Sequence, residues 1–189
     1  MSDFFALLGA ERRPWLDAED LKARYHELST HHHPDAGGEN AEFAEINRAY
    51  QTLTDPATRL RHLLDLELEG ALPRTQGVPD SAAKFFTPVA EATQAADTFF
   101  KKHAAASSPL AKALLSSGQY HVQEEVERLI GELQAMQETV LEKVRETDTI
   151  WNKQRTEAMN RLPELWQALG YAGKWLANLR EILLRLSGI

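Results

Sequence analysis

The chain has no cysteine among its 189 residues. That excludes a disulfide framework, a thiol nucleophile and any zinc site built on thiolates, and it fits a reducing compartment. No window approaches the roughly 18 consecutive apolar residues of a membrane-spanning helix. The opening MSDFFALLGAERRPW shows neither a basic leader with an apolar run nor an acid-poor, Arg/Ser-rich transit segment. The expectation is a soluble, cytoplasmic protein. A glycine-rich phosphate loop, a paired metal-ligand motif and a nucleophile elbow are also missing, so neither an enzyme nor a cofactor is expected.

What is present is ordinary for a globular chain: 43% hydrophobic and 26% charged residues. The net charge of -7 is uneven, because residues 1–70 hold 7 Lys+Arg against 14 Asp+Glu, while residues 71–189 hold 14 of each. An acidic segment of this kind repels phosphate backbones, which argues against a nucleic-acid partner.

β-Branched residues are scarce and apolar positions recur at helical spacing, which predicts an all-α fold. Phe4, Phe5, Leu7 and Leu8 form a short apolar turn that Gly9 can end. Asp17 reads as an N-cap, with Asp20 in the capping-box position, of a helix through Leu21, Tyr25 and Leu28. That helix must stop before Pro34, and His33 to Asn40 is loop chemistry. A third helix carries Phe43, Ile46, Ala49, Tyr50 and Leu53 on one face. Asp55 and Pro56 open a fourth, with Leu60, Leu63, Leu64 and Leu66 as its buried side. The expected core of this part is Leu7, Leu21, Tyr25, Leu28, Ile46, Tyr50 and Leu53.

Residues 71–82 read as a linker, since GALPRTQGVPDS concentrates glycine and proline. Residues 83–189 read as a helical bundle, for client binding or oligomerisation. Thr87-Pro88 and Ser108-Pro109 are cap-plus-first-turn signatures, and Gly118 is a candidate helix end. Val122, Val126, Leu129, Leu133, Met136, Val140 and Val144 form a coiled-coil-like stripe, predicting a long helix to about Leu162 that Pro163 interrupts. Two shorter helices follow, around Trp166 and around Trp175 to Leu186, with a bend at Gly170 and Gly173. Bundle packing outweighs a client groove as the role of the stripe. Of the adjacent pairs Phe85/Phe86 and Phe99/Phe100, one member each should diverge from the core. His31, His32 and His33 are a poor metal site, because three adjacent helical side chains cannot face one ion.

His33-Pro34-Asp35 gains meaning from its surroundings: LKARYHEL before it, and EFAEINRAYQTLTDPATR after it. The span from Phe4 to about Leu68 resembles the J domain, with FFALLG, LKARYHEL and INRAYQTLTDP matching successive helices in order. The resemblance implies a co-chaperone that docks on a DnaK/HscA-type heat-shock chaperone and stimulates its ATP hydrolysis, doing no covalent chemistry itself. It implies that His33, Pro34 and Asp35, with Lys22, Arg24, His26 and Arg59, meet the chaperone. The second helix departs from the family's strongly basic face, since Glu19, Asp20 and Glu27 accompany its cations. Steering toward an acidic chaperone surface should therefore be weak and the partner selective.

Within J proteins the chain is most similar to the HscB family, through WLDAEDL, the leucine-rich DPATRLRHLLDLELEG and the appended helical domain. That resemblance implies delivery of an iron-sulfur cluster scaffold protein. A J-domain adaptor for another client, and a helical interaction protein with a weakly active J domain, are the competing expectations.

Overall fold

The structure, a computed structural model, describes residues 2–32, 40–70 and 77–189. Helix α1 (Phe4–Leu7) starts where Asp3 accepts the amides of Phe5 and Ala6 at 3.0 and 3.2 Å. Gly9 follows with φ +61°, a conformation in which a side chain would be strained. Helix α2 (Ala18–His31) is capped by Asp17, which accepts from Glu19 and Asp20. Helix α3 (Asn40–Thr54) packs against both α1 and α2. Helix α4 (Pro56–Glu67), capped by Asp55 through the Thr58 amide, packs against α3. These elements follow the sequence expectation closely.

Their core is narrower than expected on one side and wider on another. Leu21, Ile46 and Leu53 are fully buried, whereas Leu7, Tyr25, Leu28 and Tyr50 are half-buried. Phe5 and Leu8 fill the place assigned to Leu7. Tyr25 stacks on Tyr50 with ring centroids 4.1 Å apart and donates its hydroxyl to Asn47 Oδ1 at 2.7 Å. The tyrosines thus seal the α2–α3 contact at its edge, packed ring on ring and only half-buried.

The remaining helices are α5 (Asp80–Ala83), α6 (Phe86–Ala105), α7 (Pro109–Ala113), α8 (Ser116–Ile150) and α9 (Arg155–Ser187). Three expectations are corrected here. Helix α6 starts at Phe86, so Pro88 lies inside the first turn, where its missing N–H costs no hydrogen bond. Gly118 lies within α8 rather than ending a helix. The long helix breaks at residues 151–154, not at Pro163, and α9 runs unbroken through Pro163, Gly170 and Gly173.

Packing explains these outcomes. Leu162, Leu165, Ala168, Leu169, Ala172, Leu176 and Leu179 form one buried face that continues on both sides of Pro163. Its burial offsets the roughly 3 kcal/mol that an internal proline costs. The break falls at Trp151 because its ring is buried and its indole N–H donates to the Arg12 carbonyl at 2.7 Å. The stripe from Val122 to Val144 is buried at all seven positions, as bundle packing requires.

The chain divides into two compact units that are not successive in sequence. Unit 1 comprises Met1–Gln76 with Val140–Leu169, and unit 2 comprises Gly77–Thr139 with Gly170–Ile189. Packing therefore differs from a division at 71–82 by chain order: residues 140–169, expected in the C-terminal bundle, share a unit with α1–α4. Among the described residues, no helix is long and apolar enough to cross a membrane.

Candidate functional site

His33, Pro34 and Asp35 lie outside the described residues, so the site is built from what flanks them. The α2 end is fixed by the His32 amide, which donates to the Leu28 carbonyl at 3.0 Å. His32 Nδ1 also lies 2.9 Å from Glu42 Oε2 in the first turn of α3. This contact and the Tyr25–Tyr50 stack hold together the two helices that flank residues 33–39 in sequence. Lys22, Arg24 and His26 are exposed on α2, interspersed with exposed Glu19, Asp20 and Glu27. The mixed face is the weakly charged surface expected from the sequence. Arg24 is also tied down, since its guanidinium donates to the Gly9 carbonyl.

Arg59 stands apart from the other expected contact residues. It is 3% exposed, donating from Nε to the Pro14 carbonyl at 3.0 Å and from Nη1 to the Leu53 carbonyl at 2.8 Å. Its carbon Cζ sits 5.7 Å from the Trp15 ring centroid. Burial lowers its pKa to about 10, while the Asp55 and Asp148 charges pull the other way. A cation with so little surface and two carbonyls satisfied is a bracket between the 10–17 loop, α3 and α4. The grouping of Arg59 with the surface contacts is corrected accordingly.

The same loop is gripped from residues 140–169. Asp148 Oδ1 accepts from Arg13 Nε at 3.0 Å and from the Trp15 amide at 3.1 Å, and its other oxygen accepts from Arg13 Nη2. This fork-shaped, charge-assisted pairing is among the stronger protein hydrogen bonds. It raises the Arg13 pKa, mainly through the Asp148 hydrogen bond. Arg145 covers the Trp15 ring at 4.3 Å and Arg155 pairs with Glu67 at 2.8 Å. His62, buried in α4, accepts the Phe4 amide on Nε2 at 3.1 Å and stacks on the Phe4 and Phe5 rings. Burial lowers its pKa, against the pull of Asp3 and Asp65.

Sequence reasoning did not find Arg13, Trp15, His62 or Asp148. The signal for Asp148 was available: the stripe continues past Val144 to Thr147, Asp148 and Trp151, placing a carboxylate where an apolar residue belongs. Among the described residues, no group of three or more His, Cys, Asp and Glu is arranged to hold a metal ion.

Unit 2 carries a separate aromatic cluster. Phe86 meets Trp175 edge-on at 4.9 Å and Tyr171 at 5.4 Å, and Tyr171 stacks on Trp175 at 5.3 Å. Phe85 is buried beside them while Phe86 remains 42% exposed. The divergence expected for adjacent phenylalanines holds here, and again for buried Phe99 beside half-buried Phe100.

Residues 3–62 match the DnaJ domain family model. The chaperone protein DnaJ of Thermosynechococcus vestitus is 43% identical over 63 residues, which are 32% of this chain and 16% of that protein. The co-chaperone protein HscB of Proteus mirabilis is 40% identical over 74 residues, 34% of this chain and 43% of that protein. The chain thus matches less than half the length of these curated relatives. Among solved structures, the chaperone HscB from Vibrio cholerae superposes with a TM-score of 0.59 at 19% identity, covering 98% of this chain and 99% of that one. Human co-chaperone protein HscB gives a TM-score of 0.52 at 18% identity over 96% and 84%.

Proposed function

We propose that this chain, which carries a J domain at its N-terminus and an HscB-like all-α fold, is a co-chaperone that stimulates ATP hydrolysis by a DnaK/HscA-type heat-shock chaperone. The observation that carries the reading is His33-Pro34-Asp35 in sequence between α2 and α3, inside the segment that matches the DnaJ domain model. Asp35 supplies a short carboxylate beside the fixed φ of Pro34, suited to a charge-assisted bond with a partner arginine. His33 offers a ring donor or acceptor. Lys22, Arg24 and His26 supply an auxiliary face of low net charge, so complex formation should depend little on salt.

In this reading Arg59, Arg13 and Asp148 act behind the surface, fixing the 10–17 loop and the base of α2. The delivered client is an iron-sulfur cluster scaffold protein, following the HscB resemblance. Phe86, Tyr171 and Trp175 are its best anchors, since clustered half-exposed aromatics are the usual centre of a protein interface. The protein acts in the cytoplasm.

Single-turnover ATP hydrolysis by the host's DnaK/HscA-type chaperone tests the proposal. The full chain should accelerate hydrolysis, and His33→Gln should lose that acceleration. No acceleration by the unmodified chain, or acceleration unchanged in the variant, would overturn it.

A further inference from the structure

We propose that His62 is a pH-operated latch on α1, holding the helix while its ring is neutral and letting it open when Nε2 takes up a proton. The inference is independent of the chaperone reading and rests on a buried group which that reading leaves unused. A helix begins with amides that have no partner inside it. At the start of α1, Asp3 Oδ1 meets this need for Phe5 and Ala6, at 3.0 and 3.2 Å. The Phe4 amide has one acceptor among the described residues, His62 Nε2 at 3.1 Å, reaching in from α4 across 58 positions of sequence. Because the amide is the donor, Nε2 must offer its lone pair, and the ring proton sits on Nδ1. The bond exists only while the ring is uncharged.

Protonation sets one N–H against another. It leaves the Phe4 amide without its acceptor and an imidazolium with little water, since the His62 side chain is buried. The ring lies against Phe4 and Phe5, with centroids 4.6 and 5.8 Å away, so turning Nε2 outward disturbs both contacts. The charged groups acting on it are Asp3 ahead of α1, Arg12 in the 10–17 loop and Asp65 on α4 itself. The two carboxylates favour the proton and Arg12 opposes it. Each carboxylate already has a guanidinium partner, Asp3 in Arg12 at 2.6 Å and Asp65 in Arg61 at 3.0 Å. Burial outweighs their pull and keeps the ring's pKa below its ordinary value.

Helix α1 is suited to such control, because a helix of 4 residues has little stability of its own. Phe5 and Leu8 are fully buried, so the seated form dominates and the latch sets the size of a minor open population. The turn after α1 depends on it: the Gly9 and Ala10 amides donate to the Ala6 and Phe5 carbonyls at 3.1 and 2.8 Å. The Gly9 carbonyl in turn accepts from Arg24, so opening α1 releases an exposed cation of α2. With α1 open, the ring meets water and titrates near its ordinary value of about 6.5. The open population is therefore constant above that pH and grows as the solution is acidified through it, by up to about tenfold per pH unit.

Amide hydrogen exchange on the full chain, followed by nuclear magnetic resonance across this pH range and corrected for intrinsic rates, reads the open population at Leu7, Leu8 and Ala10. Their protection should fall by up to about tenfold for each pH unit below about 6.5, while amides in the middle of α3 stay more strongly protected. His62→Gln, which offers an uncharged acceptor, should keep α1 protected and abolish the fall. His62→Phe, which offers none, should lower α1 protection at every pH. Three results would each overturn the proposal: α1 protection independent of pH, a fall unchanged in His62→Gln, or α1 and α3 amides losing equal protection together. The comparison of α1 with α3 in the unmodified chain decides the matter even where a variant does not fold.

Discussion

The two units handle polarity in opposite ways. All four buried polar or charged residues found among the described residues, Arg59, His62, Thr147 and Asp148, belong to unit 1. All the exposed large hydrophobic residues found there, from Phe86 and Leu110 to Leu184 and Ile189, belong to unit 2. Unit 1 adds directional bonds to its apolar core, at the expense of desolvating charges. Unit 2 buries apolar side chains with no buried polar residue found among them, and it has apolar surface left over. Buried polar networks of the first kind specify position. Uncovered apolar surface of the second kind is the pattern of interaction sites.

The contrast makes ordered predictions. The largest effect is expected from separating 1–76 from 140–169. Losing the Asp148, Trp151 and Arg155 contacts should destabilise the fragment by more than about 4 kcal/mol relative to unit 1 in the full chain. Urea unfolding followed by circular dichroism measures this, and an unchanged midpoint would show that the units do follow chain order. Asp148→Ala comes next, at about 3 kcal/mol, because it strands Arg13 and the Trp15 amide together. Glu132→Ala, which removes only an exposed pair with Arg128, should cost below about 0.5 kcal/mol.

A smaller effect is expected from pH. The His62 pKa is lowered in the fold, so the unfolded chain takes up a proton first as the solution is acidified. Its contribution to stability should be complete above the unfolded value of about 6.5 and should decline as pH falls below it. His62→Asn, measured by urea unfolding across that range, should remove this part of the slope; an identical slope would assign it elsewhere. The smallest effect belongs to unit 2's surface. Leu110→Ser should change thermal stability by less than about 0.5 kcal/mol despite deleting a large apolar group.

How far the sequence reached follows the same division. Caps at Asp17, Asp55 and Ser108, the α1–α4 succession and the Val122–Val144 stripe were legible, because each depends on neighbours within a few residues. The continuity of α9 was not legible, since local proline and glycine penalties were outweighed by burial on one long face. The grip of Asp148 on Arg13, 135 residues away, was beyond local patterning altogether. Arg59 was grouped with the chaperone contacts through the family resemblance, and its burial depends on the distant Pro14 carbonyl and on that of Leu53. Of the candidate site, the exposure of Lys22, Arg24 and His26 and the order of the helices around residues 33–35 were readable in advance. The half-buried Tyr25–Tyr50 stack between them was not, because aromatic stacking geometry depends on the approach of two helices.

The proposed function implies a division of labour, in which the segment matching the J domain would drive the chaperone and unit 2 would serve its clients. The most direct test compares single-turnover ATP hydrolysis by the DnaK/HscA-type chaperone in the presence of Asp35→Asn and of Phe86→Ser, with no client added. The account predicts that Asp35→Asn loses the stimulation and Phe86→Ser retains it. Equal loss in both variants, or full stimulation in both, would contradict it.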